Sequence, residues 1–168
     1  MKKPSFLLAA VLAVTATSAA FAATTSSTFQ VLITVNKACS VVAGAASNID
    51  FGQVNSSTPA VSASSNINVT CSKSTPYNVG LTPSNSSTTG AGVMLPAVAG
   101  PDTVPYQLRS VSATGPIWGN TATATAVGNG VAGTGTGATQ AIPVFATVAN
   151  ANVTPGAYLD TVTVTVNY

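Results

Sequence analysis

An all-β sandwich is the fold class that the sequence predicts, and three observations predict it. Proline, glycine and β-branched side chains recur too often for a long amphipathic helix. Short apolar runs are separated at regular intervals by Gly-, Pro-, Asn- and Ser-rich turn chemistry. The final run, Tyr158 to Tyr168, alternates apolar and polar residues with a period of two, as a half-buried strand does.

The elements follow in chain order. Lys2 and Lys3, the apolar run Phe6–Val14 and the small-x-small triplet Ala20-Phe21-Ala22 predict a secretory signal peptide over residues 1–22. Its apolar core is too short for a membrane anchor, so no membrane insertion is expected after cleavage. The first strand candidate is Phe29–Val35, with Phe29, Val31, Ile33 and Val35 on one face. Ser40–Ala43, Ile49–Val54, Asn66–Cys71, Tyr77–Leu81, Val104–Arg109, Ala141–Val148 and Tyr158–Val166 follow, with weaker candidates at Val93–Leu95 and Pro116–Trp118. Gly128–Gly137 reads as a mobile glycine-rich loop. It contains a GxGxxG match, Gly128 to Gly133, but nothing after it can open the helix that a dinucleotide site requires. In the last strand Val162, Val164, Val166 and Tyr168 share one face, and Thr161, Thr163, Thr165 and Asn167 the other. No segment follows to cover its outer edge, and an open edge invites pairing with another chain. Periodicity alone favours the opposite arrangement at the front, with the first strand pairing inside its own sandwich.

Charge and residue inventory exclude whole classes of function. Behind the signal the bases are Lys37, Lys73 and Arg109 and the acids Asp50, Asp102 and Asp160, so the remaining chain is formally neutral. A nucleic-acid surface cannot be assembled from three dispersed cations. The sequence has no histidine and no glutamate. That removes the usual triads and Cys–His pairs and leaves too few ligands for a dedicated metal site. No catalytic residue, metal or cofactor is therefore expected. The two cysteines, Cys39 and Cys71, lie behind a secretion signal, where an even count predicts a disulfide. Such a bond closes a loop of about 33 residues and contributes roughly 3–4 kcal/mol in the chain-entropy picture. Trp118, the sole tryptophan, is expected in the core or anchoring a loop more than stacked on a sugar.

The order of motifs resembles one family. CSVVAGAASNIDFGQV begins at Cys39, INVTCSKSTPYNVGL surrounds Cys71, and WGN starts at Trp118. GTGTGATQAIPVFATV and TPGAYLDTVTVTVNY follow. The set resembles the spore coat protein U domain family, many of whose members are subunits of archaic chaperone–usher pili. Two positions depart from that pattern: GVM keeps Met94 without the usual preceding arginine, and Asn120 stands where an aspartate follows Trp-Gly.

The resemblance implies an immunoglobulin-like antiparallel sandwich, residues 37–168, that lacks its final strand. It reverses the expectation for the first strand. Residues 23–36 become an extension donated to a neighbouring subunit through Phe29, Val31, Ile33 and Val35. Val162, Val164, Val166 and Tyr168 become the edge of the receiving groove and the chaperone contact. The implied partners are a periplasmic chaperone, an outer-membrane usher and neighbouring pilin subunits, with passage through the periplasm to a cell-surface pilus serving adhesion or biofilm formation. The alternatives are a self-complete secreted sandwich that binds carbohydrate and a spore or surface coat protein.

Overall fold

A computed structural model describes residues 22–168; all but the last residue of the predicted signal lies outside the described residues. The chain divides into two units, with the division after Thr34. In the first, residues 22–34 carry no strand or helix, so the ladder expected to begin at Phe29 is absent. The second unit carries nine strands. They are β1 (Cys39–Val42), β2 (Val61–Cys71), β3 (Pro76–Pro83), β4 (Ala91–Pro96), β5 (Val104–Ser110), β6 (Val131–Thr134), β7 (Thr139–Val148), β8 (Tyr158–Leu159) and β9 (Val162–Asn167). A 3-10 turn at Ala45–Ser47 is the single helical feature among the described residues.

All ladders are antiparallel. They form a larger sheet of order β1-β2-β7-β5-β4-β8 and a smaller one of order β6-β3-β9. Period-two alternation decides which side chains meet between the sheets. Ile67 and Val69 of β2, Val144, Ala146 and Val148 of β7, and Tyr106 and Leu108 of β5 point inward from the larger sheet. Tyr77, Val79 and Leu81 of β3 meet them from the smaller one. Pro143, which cannot donate to a ladder, lies in β7 beyond Val144, where pairing with β5 ends. Trp118 is fully buried and ties the layers together. Its backbone N–H donates to Leu108 of the larger sheet at 2.9 Å, and its indole N–H to the Val79 carbonyl of the smaller one at 2.9 Å. That is the core role expected for it.

Four expectations are corrected. Ile49–Val54 alternates but joins no ladder. The Asp50 carboxylate accepts the Gly52 N–H at 2.8 Å, and Gly52 has φ +66°, so the chain turns while Ile49 and Phe51 still pack on the core. Pro116–Trp118 gives only an isolated bridge between Ile117 and Arg109. The glycine-rich stretch is not a loop throughout, because it contains β6, paired along β3. Gly133 lies against the Tyr77 ring, where a Cβ would sit 2.3 Å from Cζ, so glycine there permits close packing instead of flexibility. Finally, the long terminal strand is two strands in two sheets: β8 pairs with β4 and β9 with β3. The chain changes layer at Asp160 and Thr161.

Candidate functional site

A cavity of about 730 Å³ opens between the two sheets. Its floor comes from the larger sheet through Ile67, Val144, Ala146 and Leu108, and one wall from the smaller sheet through Leu81, Val162 and Val164. The segment after β1, from Ala43 through the 3-10 turn to Phe51, forms the opposite side. The alternation of the last strand creates this wall. Val162, Val164 and Val166 are half-buried and aim at the core, while Thr163 and Thr165 face water. β9 pairs with β3 on one side only, and no strand is laddered to its other edge among the described residues.

The four residues expected to form this edge do not behave alike. Val162 and Val164 line the cavity, whereas Val166 and Tyr168 do not. β1 comes near β9, and just before β1 Lys37 Nζ sits 5.7 Å from the centroid of the Tyr168 ring. The cavity therefore occupies the Val162–Val164 end of the strand. The expected donor residues are in water: Phe29, Val31, Ile33 and Val35 are 80–89% exposed, and so is Leu32. An alternating apolar row left so exposed carries a large unrealised burial free energy.

Cys39 and Cys71 are bonded, with S–S 2.04 Å. They face each other in the β1–β2 ladder, so the bond fastens the edge strand β1 to the body just after residue 36. Ala38 reinforces the junction: its N–H donates to the Ser72 hydroxyl at 3.0 Å, and its carbonyl accepts the Ser72 N–H at 2.8 Å.

One polar pair, not anticipated in the sequence, lies at the cavity's end. The Tyr106 hydroxyl donates to Asp160 at 2.7 Å, and the other carboxylate oxygen accepts the Thr161 N–H at 2.7 Å. Burial, and then the hydrogen bond and charge of Asp160, push the Tyr106 phenol far above its ordinary range. Of the signals in the sequence, only the polar residue interrupting a valine-rich terminal run marked this place. Elsewhere, Asp102 accepts from both the hydroxyl and the N–H of Thr154, which holds its carboxyl below the usual value. No group of three potential metal ligands occurs among the described residues, and no helix among them is long and apolar enough to cross a membrane.

The family model of the Spore Coat Protein U domain matches residues 25–165. The chain belongs to that family. Its match takes in the exposed apolar segment as well as both sheets. Among solved structures, the chain is similar to one in the CsuC–CsuE chaperone–tip adhesion subunit pre-assembly complex from archaic chaperone–usher Csu pili of Acinetobacter baumannii. That likeness has a TM-score of 0.50 and 22% identity over 80% of this chain, which spans 40% of the other's length. It establishes the fold, an immunoglobulin-like sandwich of antiparallel sheets. A second similar chain comes from a chaperone–tip adhesin complex of CFA/I fimbriae biogenesis, at TM-score 0.40 and 13% identity, covering 71% of this chain and 38% of that one. No curated protein matches the chain.

Proposed function

We propose that the protein is a non-enzymatic structural subunit of a surface pilus, polymerised by donor-strand exchange. One observation carries this reading. An interlayer cavity opens beside an edge strand, and a segment of the same sequence offers an alternating apolar row with nothing buried against it. In this account the sandwich lacks one strand. A periplasmic chaperone lends a strand during transit, an outer-membrane usher exports the subunit, and the Thr24–Asn36 arm of the next subunit then takes the vacant place beside β9.

The physics fits a filament. Burying Phe29, Val31, Ile33 and Val35 contributes roughly 1.5–3 kcal/mol each as an upper range. Main-chain hydrogen bonds along β9 give direction, and a slip by one residue turns the whole row out of the cavity. The front of one subunit meets the back of another, a heterologous contact that propagates instead of closing. The Cys39–Cys71 bond then passes tension from the arm into the sandwich. Adhesion or biofilm formation at the cell surface is the role such a filament serves.

The test compares residues 23–168 with and without residues 23–36, and with Ile33→Asp. The intact protein is expected to form a ladder of oligomers resistant to mild detergent. Removal of the arm abolishes the ladder, and Ile33→Asp does the same because an unpaired carboxylate cannot enter an apolar site. Ladders that survive both changes contradict the reading.

A further inference from the structure

The Tyr106–Asp160 pair is built from three places in the chain. Tyr106 lies on β5, and its ladder partner on β4 is Gly92. A Cβ on Gly92 would fall 2.1 Å from Tyr106 Cζ and 2.3 Å from its hydroxyl oxygen, so a side chain there would displace the ring. The phenol therefore crosses β4 at the one position without a side chain. Its hydroxyl emerges on the β8 side, at Asp160.

Asp160 occupies the layer change between β8 and β9. One carboxylate oxygen is held by Tyr106 from the larger sheet, and the other by the N–H of Thr161, the residue that leads into β9. Tyr106, Asp160, Thr161 and Val162 all line the cavity. Besides this pair, the corner is held by the short β4–β8 ladder, Leu95 with Leu159 and Pro96 with Tyr158, and by the β3–β9 ladder, which begins at Pro83 with Val162. Among the described residues, β9 has no ladder on its outer side to hold it away from the core. Val162 and Val164 line the cavity together with the apolar floor residues Ile67, Leu108 and Val144, and hydrophobic collapse onto that floor would narrow it.

We propose that Tyr106, Gly92 and Asp160 form a clasp that fixes the start of β9 and keeps the cavity wide enough to admit an incoming strand. Tyr106 and Asp160 are positioning residues: they act through the placement of Thr161 and Val162. The inference rests on the strand-insertion reading above and deepens it. The clasp also accounts for a carboxylate beside a part-buried phenol at the cavity, where each satisfies the other.

The experiment measures capture of a fluorescent peptide with the sequence of residues 24–36, in large excess, by residues 23–168. The variants are Tyr106→Phe, Asp160→Ala and Asp160→Asn, with Tyr77→Phe as the control. Tyr77 is equally buried but does not line the cavity. Tyr106→Phe and Asp160→Ala are expected to slow peptide association about tenfold, the size of one lost charge-assisted hydrogen bond. Asp160→Asn, which keeps an acceptor for the hydroxyl, falls between them and the wild type. Tyr77→Phe captures at the wild-type rate. A clasp that served stability alone would lower the melting temperature and leave the association rate of the folded fraction unchanged; that result overturns the proposal. If Tyr106→Phe does not fold, Asp160→Asn decides, and wild-type association from a folded Asp160→Asn overturns it equally. Absence of capture by the wild type itself would instead reject strand insertion.

Discussion

Single residues hold the two sheets at a fixed separation. Trp118 donates to both layers, and its carbonyl lies beneath Gly90, which has φ +72° and would place a Cβ 2.0 Å from that oxygen. Trp118→Ala is expected to lower stability by about 3–5 kcal/mol in urea unfolding, through the cavity and the lost donor to Val79. Tyr106 makes a pH prediction. Its pKa in the folded protein is raised above the ordinary 10.0. Below that value both folded and unfolded chains keep the phenol proton, so stability does not change. As the pH rises above it, the unfolded chain releases the proton and the folded chain retains it. Stability then falls with pH, by up to about 1.4 kcal/mol per unit for this residue. Tyr106→Phe should flatten that alkaline limb, as read from unfolding curves at a series of pH values. Asp102 acts oppositely: its folded pKa is depressed, so its contribution is present above the ordinary 3.8 and is lost as the pH falls below it.

At the scale of elements, alternation found most of the strands because each has one face on the core. β2, β3, β5 and β7 all contain the runs expected of them, extended by a few residues where the ladder outlasts the apolar pattern. The failures have separate causes. Ile49–Val54 shares the alternation of a strand, but the Asp50–Gly52 turn diverts it from any partner. β6 was hidden because Gly133 within it and Gly135 just after it serve close packing against Tyr77 and Cys71, and composition reads such glycines as loop. Leu159 and Asp160 break the alternation of the terminal run, but a broken pattern does not say that the chain changes sheets; only pairing partners reveal two. Of the candidate site, Val162 and Val164 were legible as an inward row. The clasp was not, because Gly92, Tyr106 and Asp160 are brought together by strand order, which local pattern does not encode. The Cys39–Cys71 link was legible from count and context. Replacing both cysteines by alanine is expected to lower stability by roughly 3–4 kcal/mol, with hydrogen exchange rising first in β1, the edge strand that the bond fastens.

At the scale of the molecule, the proposed reading assigns linear assembly to a sandwich with an open interlayer cavity and to an exposed apolar segment in the same sequence. Residues 24–36 contain no charged side chain, so the insertion proposed above would depend on apolar burial and main-chain pairing, not on steering by charge. Assembly rates should therefore change little between low and high salt, in contrast to association guided by complementary charge. A formally neutral surface of serine, threonine and asparagine fits a filament, in which like charge on successive subunits would oppose close approach.

The most direct measurement relocates residues 24–36 behind Tyr168 through a short flexible linker and follows mass and thermal unfolding. The account predicts a monomer that no longer polymerises and unfolds in one transition at a higher temperature than the unaltered chain, because the strand now fills its own cavity. No rise in melting temperature, together with a stable soluble monomer from the unaltered residues 23–168, would contradict it.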